Sequence, residues 1–359
     1  MTVALFILGL VILIAGAELF LNSVDKFGLA WSVSPVVMGL TVVAFATGAP
    51  ELAISLQAAA DGKPDLVLGN ILGSNIANIL LILGIAGLVK PLKITNRIIK
   101  IDVPVVIGAS VLLFILSLDG ELAPLDGIII LAALMIYSIF VYRQIRQDQK
   151  NNQKNNEENP SKLDEPVNAW FYTKYILILL VGLVFIVLGS RWMVDSAVEI
   201  AGALGISELI IGLTIVSIGT SLPEVATSLS AVRHNDSDTA VANVMGSNLY
   251  NIFLTLGLTI VVAPGALSVS PDALKLDMPF MIIVALACLP LFWPGKVLGR
   301  AEAAGFLFYY AAYLTYLVFI AIGHPFKESV EWLMLWVIAP ITLLLVITKF
   351  VLDYRRLRM

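Results

Sequence analysis

Sulfur and imidazole are almost absent from this chain of 359 residues, which has one cysteine, Cys288, and two histidines, His234 and His324. A lone thiol excludes an intramolecular disulfide, and so few soft ligands argue against a zinc or haem centre. Charge is scarce as well. Asp, Glu, Lys and Arg make up 13% of the residues against 59% hydrophobic, and the mean hydropathy of +0.94 excludes an ordinary soluble globule. No Lys, Arg or His lies centrally in any long apolar run, so an acid placed there has no cationic side chain to neutralise it. The apolar runs also lack a His-Glu-x-x-His motif, a Ser–His or Ser–Lys pair and paired aspartates. Intramembrane hydrolysis is therefore not expected, and the chain is read as a non-enzyme without a resident cofactor. Nothing in it suggests a nucleic-acid partner, and the oligomeric state is not legible.

What is present is a series of apolar runs of membrane-spanning length, so the lipid bilayer is the expected surrounding. They fall at roughly 3–21, 35–59, 66–89, 101–118 and 124–142, then at 173–190, 208–232, 239–262, 278–293, 303–322 and 331–351. The first has no basic n-region and no small-x-small cleavage site, so it is read as a membrane helix rather than a signal peptide. Between the two sets, 143–172 is rich in Asn, Gln, Lys and Glu and reads as a hydrophilic linker with no domain of its own. Lys and Arg set the orientation. With the N-terminus outside, all of the 22 basic residues except Lys63, Arg191, Lys275 and Lys327 face the cytoplasm. The expectation is a multi-pass protein of the cell (inner) membrane, N-terminus outside and C-terminus cytoplasmic.

The stretch 39–84 occurs twice. Its copy at 212–257 aligns without a gap, close to half of the paired positions are identical, and the polar ones stand out. Thr41, Thr47, Pro50 and Glu51 recur as Thr214, Thr220, Pro223 and Glu224; Asn70, Ser74, Asn75 and Asn78 recur as Asn243, Ser247, Asn248 and Asn251. Each copy has five spans, an odd number, so the second enters the membrane from the opposite side. The fold expected is an all-α integral membrane protein of two inverted five-helix repeats, 1–142 and 173–322, joined by the 143–172 linker. One extra transmembrane helix and a basic tail occupy 323–359, giving about eleven helices. Inverted repeats of this kind hold a substrate site near the midplane, at the repeat interface.

The motifs FATGAPE at 45–51 and IGTSLPE at 218–224 sit near mid-span. A proline there lacks the amide proton and clashes with the carbonyl one turn back, and Gly48 and Gly219 loosen the backbone further. Carbonyls near 44–46 and 217–219 are expected to leave the helical ladder. A bilayer tolerates this only beside protein, a watery cavity or a bound cation. Glu51 and Glu224 follow the prolines directly, and at that depth each must hold a proton or face a cation. On the next span of each copy, Asn70, Ser74 and Asn78, or Asn243, Ser247 and Asn251, recur at helical spacing on one face. Together these oxygens form a hard-ligand set suited to Ca²⁺, and Na⁺ accepts similar ligands. Blander roles stand beside this one. Asn70 and Asn243 serve equally well as interhelical hydrogen-bond partners, and Gly69 with Gly73, like Ala242 with Gly246, as close-packing faces. Asp102 and Asp277, at span ends, read as interfacial acids.

At these residues the chain resembles the sodium/calcium exchanger family, within the Ca²⁺:cation antiporter superfamily, in its prokaryotic form. GLTIVSIGTSLPE at 212–224 and GSNLYNIF at 246–253 carry the likeness, which covers both repeats. The resemblance implies Glu51 and Glu224 as the central cation ligands. It implies Thr47, Thr220, Ser221, Ser74, Ser247, Asn78 and Asn251 as neutral ligands, with the backbone carbonyls of Ala44 and Ser217. It further implies exchange of external Na⁺ for internal Ca²⁺ by alternating access, the first helix of each repeat sliding across the other eight. Three departures bear on this. Ala46-Thr47-Gly48 stands where the family has Gly-Thr-Ser, Asn251 where some relatives carry Asp, and the run 331–351 has no place in a ten-helix plan. The first two touch sodium stoichiometry and keep Ca²⁺/H⁺ (or other divalent cation/H⁺) exchange as the alternative; an intramembrane hydrolase and a passive cation channel are the remote ones.

Overall fold

A computed structural model describes residues 2–31, 33, 35–154, 166–203, 217–293, 295–321 and 325–326. α1 (Thr2–Trp31) is followed by a bent pair, α2 (Val36–Thr47) and α3 (Ala49–Ala60), whose axes differ by 43°. α4 (Pro64–Val89), α5 (Ile98–Leu116) and α6 (Pro124–Lys154) complete the first half. The second half holds α7 (Ala169–Ala203), the short α8 (Ser217–Thr220) and α9 (Leu222–Arg233). It continues with α10 (Ser237–Val262), α11 (Ala273–Phe292) and α12 (Arg300–Ala321). Among the described residues seven helices are long and apolar enough to cross a membrane, and the bent pair α2/α3 makes an eighth. The run 331–351 and the first part of 208–232 lie outside the described residues. Both flanking helices extend into the polar stretch: α6 runs on to Lys154 and α7 begins at Ala169. Arg, Gln and Lys are good helix formers, so the helix outlasts its apolar segment.

α4 and α10 form the centre. In each, 78% of the apolar stretch is buried, against 22–28% for α1, α6 and α7, which keep a broad face for lipid. α1 and α7 pack antiparallel along their length. At one end Thr2 Oγ1 donates to Glu199 Oε1 at 2.7 Å, and at the other Phe27 stacks on Tyr172 at 6.3 Å. Glycines let the two backbones touch: a Cβ on Gly182 would lie 2.7 Å from Phe20 N, and one on Gly189 2.6 Å from Gly9 O. In lipid, where no hydrophobic force drives helices together, such close contact supplies the attraction. Gly246 does the same between the halves, its missing Cβ leaving room for Leu40 and Ala44 of α2.

Four two-residue strands, β1 (Leu92–Lys93), β2 (Glu121–Leu122), β3 (Leu267–Ser268) and β4 (Val297–Leu298), lie in the loops. β1 pairs antiparallel with β4, and β2 with β3, so each pair joins one half to the other. One membrane span separates β1 from β2 and one separates β3 from β4, which puts the two pairs on opposite faces. α5 and α11 both open with a π-helical turn, Ile98–Asp102 and Ala273–Asp277. Asp102, near the start of α5, is fully buried in the protein, with Tyr137 Oη donating at 3.4 Å and Arg97 Nε 3.5 Å away. Asp277 accepts from Tyr313 Oη at 2.8 Å. A tyrosine reaching over from the next helix meets each acid, which spacing along one helix cannot reveal.

Candidate cation site

Both copies of the proline motif break their helix, and both break it ahead of the proline. Gly48 (φ −79°, ψ 2°) separates α2 from α3, and Ser221 (φ −86°, ψ 2°) separates α8 from α9. Pro50 and Pro223 then fall in the first turn of the new helix, where an amide proton is not needed. Glu51 and Glu224 lie in the same turn, 1% and 0% exposed. The aligned peptide dipoles of a helix N-terminus favour negative charge there. The Ala44 carbonyl, expected to be released, instead accepts from Gly48 N–H at 3.1 Å. The proline withdraws its donor from Ala46, one turn back, and leaves the Ala44 bond in place. A second lone pair on that carbonyl remains. Ser217 and Thr220 belong to α8, and their side chains fall outside the described residues.

Neutral oxygens converge on these breaks. Thr47 ends α2; its Oγ1 donates to Val43 O at 3.0 Å and stands beside the Glu224 carboxylate, as does Ser247 of α10. A Cβ on Gly48 would lie 3.9 Å from Asn251 Oδ1, so the first break faces α10 directly. Ser74 and Asn78 on α4, Ser221, and Ser247 and Asn251 on α10 are all buried. Ser74 Oγ, Asn78 Oδ1, Ser221 Oγ and Asn251 Oδ1 have no hydrogen-bond partner among the described residues. Leaving one such group unsatisfied costs roughly 1–3 kcal/mol, so a cluster of them calls for an occupant. The donor set is oxygen throughout, which fits a hard cation and not an anion. Among the described residues no three His, Cys, Asp or Glu side chains converge, so negative charge at the breaks comes from the glutamates alone.

The amide nitrogens of Asn70 and Asn243 link neighbouring helices. Asn70 Nδ2 donates to Glu51 O at 3.1 Å and Ser55 Oγ at 3.0 Å, tying α4 to α3. Asn243 Nδ2 donates to Thr227 Oγ1 at 3.1 Å and Ser228 Oγ at 3.0 Å, tying α10 to α9. Asn78 and Asn251 each begin a π-helical turn, Asn78–Ile82 and Asn251–Leu256, a widening common at functional sites. Their amide nitrogens are held by two residues that spacing left without a task, Asn248 and Asn75. The recurrence of that pair in both repeats is the signal that was there to read.

Comparison with known proteins agrees with this architecture. The family model described as sodium/calcium exchanger protein matches residues 1–143 and 174–319. Inner membrane protein YrbG of Escherichia coli is 33% identical over 313 residues, covering 86% of this chain and 95% of that protein. Sodium/calcium exchanger MaX1 of Methanosarcina acetivorans is 32% identical over 347 residues, covering 88% of this chain and 98% of that protein. A solved structure of the sodium-calcium exchanger NCX_Mj, soaked with 2.5 mM Na⁺ and 1 mM Sr²⁺, matches with a TM-score of 0.72 at 29% identity. It covers 88% of this chain and 97% of that one. With the buried oxygen cluster at paired helix breaks, these matches establish that the chain belongs to the sodium/calcium exchanger family of membrane cation antiporters.

Proposed function

We propose that the protein exchanges Na⁺ for Ca²⁺ across the membrane by alternating access, both ions competing for one site at the paired helix breaks. The observation that carries the reading is the buried oxygen cluster, with the Glu224 carboxylate flanked by Thr47 and Ser247 and the Ser74, Ser221, Asn78 and Asn251 oxygens left over. In this reading Glu51 and Glu224 supply the charge. Thr47, Thr220, Ser221, Ser74, Ser247, Asn78 and Asn251 supply neutral oxygens, and Ala44 and Ser217 supply backbone carbonyls. Ca²⁺ takes six to eight oxygens, two carboxylates match its charge, and Na⁺ accepts the same ligands. With neither ion bound, two unbalanced negative charges resist passage between the faces, so one ion leaves only in return for the other. That obligation separates an exchanger from a channel.

The two inverted five-helix units are 1–142 and 173–322 in this reading, with a further helix and basic tail in 323–359. The face bearing β1 and β4 carries Lys90, Lys93, Lys296 and Arg300, which makes it cytoplasmic by the excess of Lys and Arg on that side. The N-terminus is then outside. A second reading, Ca²⁺/H⁺ exchange, draws on Gly48, which lacks the hydroxyl that Ser221 has at the equivalent break. Everted membrane vesicles loaded with Na⁺ separate the two. With the proton gradient collapsed by an ionophore, uptake of radiolabelled Ca²⁺ is expected to persist and to stop when the Na⁺ gradient is removed. Uptake that ignores Na⁺ and dies with the proton gradient overturns Na⁺ coupling, and Ca²⁺ flux without a counter-cation overturns exchange.

A further inference from the structure

A carboxamide is two-faced: it offers a carbonyl oxygen on one side and N–H donors on the other, and only the oxygen suits a cation. Four carboxamides meet in the centre of this bundle, Asn75 and Asn78 from α4 and Asn248 and Asn251 from α10, each 1% exposed. Their hydrogen bonds are reciprocal between the halves. Asn78 Nδ2 donates to Asn248 Oδ1 at 2.9 Å, and Asn251 Nδ2 donates to Asn75 Oδ1 at 3.4 Å. Asn248 Nδ2 in turn donates to the Asn75 backbone carbonyl at 3.2 Å, and Asn75 Nδ2 to Met281 Sδ at 3.6 Å. Every one of the four amide nitrogens is thereby occupied. Of the four side-chain oxygens, those of Asn78 and Asn251 alone have no hydrogen-bond partner among the described residues. Turning over the Asn78 amide would set its oxygen against Asn248 Oδ1 and aim its N–H groups where the cation ligands converge. In a dry interior each such mismatch is costly.

The geometry points to Asn75 and Asn248 as positioning residues for the cation site: each fixes, from the opposite half, which end of a ligand carboxamide the ion meets. The assignment rests on the reading of Asn78 and Asn251 as cation ligands. Asn248 acts through Asn78, and Asn75 through Asn251. The two are not equal. A backbone carbonyl holds Asn248, whereas Asn75 is held by a thioether, a weak acceptor, so Asn248 is the more firmly set.

Equilibrium binding of radiolabelled Ca²⁺ to the purified full-length protein, run as double-variant cycles, separates this role from general packing. Asn78→Ala and Asn248→Ala are each expected to raise the Kd about tenfold, the worth of one good oxygen ligand. The double variant is expected to be no weaker than the worse single one, because both remove the same ligand. Asn75→Ala with Asn251→Ala behaves alike, with a smaller effect of Asn75→Ala alone. Across the pairs, Asn248→Ala with Asn251→Ala multiplies. Where Asn248→Ala does not give monodisperse protein, Asn248→Ser enters the same cycle with the same expected coupling. Multiplying effects of Asn78 and Asn248, or an Asn248 variant that binds like the wild type, overturn the positioning role while leaving the ligands in place. Wild-type binding by Asn78→Ala overturns the ligand assignment itself.

Discussion

Thr47 of the first half stands beside Glu224 of the second, where the helices of both halves are interrupted. Thr47 Oγ1 lies 3.0 Å from Val43 O as well, and with its one proton donated there its lone pairs are free to meet a neighbouring ion. An electron-rich hydroxyl against a buried carboxylate is a stable arrangement once a cation sits with them.

Glu224→Gln and Glu51→Gln keep the volume of the side chain and remove its charge. Each is expected to lower Ca²⁺ affinity on the order of a hundredfold, the loss of one charged ligand, and to abolish exchange in proteoliposomes. Monodisperse elution in detergent checks that the fold survives. Wild-type flux in either variant would remove that residue from the site.

Gly48→Ser restores a hydroxyl where Ser221 already has one. The new Cβ would lie 3.2 Å from Ala44 O and 3.9 Å from Asn251 Oδ1, so it fits with a small adjustment and points toward a ligand. Na⁺ is expected to inhibit Ca²⁺ uptake at a concentration roughly threefold to tenfold lower, the worth of one neutral ligand. An unchanged inhibition curve counts against the hydroxyl as the missing Na⁺ contact.

The buried Asp102 and the partly exposed Arg97 form an ion pair at 3.5 Å. Arg97→Met leaves the buried carboxylate with the Tyr137 hydroxyl and without its cation, and is expected to cost up to about 3 kcal/mol, read as a lower melting temperature in detergent. Adding Asp102→Asn is expected to recover part of the loss. A double variant less stable than Arg97→Met alone would show that the pair is not what holds this end of α5.

Much of this was legible in the chain itself, because polar residues inside apolar helices cannot be there by accident and these recur in both halves. The broken spans, the two glutamates and the Ser/Asn stripes follow from that alone. The position of the break does not. Proline marks the region, but the turn falls at Gly48 and Ser221, since proline is content in a first helical turn. Nor does spacing show that Asn70 turns back to α3 while Asn78 reaches across to α10, because the choice is made by the facing helix. The pairings of β1 with β4 and β2 with β3 are too short to leave any periodic trace.

Lys93 and Val297 are Cα partners across the β1/β4 pair. Residues opposed in an antiparallel ladder lie within disulfide range, so Lys93→Cys with Val297→Cys is expected to cross-link on oxidation. Cys288 is buried in α11 and does not compete. Exchange is expected to be unchanged by the bond. Inhibition that reverses on reduction would mean that these loops separate during transport.

The two ladders have a mechanical consequence. With both ladders intact, lobes that swing about a waist would have to shear one fastening at every stroke. Opening toward either side is left to parts that no ladder restrains. α1 and α7, packed backbone to backbone at their glycines, carry no strand of either ladder, so in the proposed cycle they would move as one shutter rather than as two independent doors.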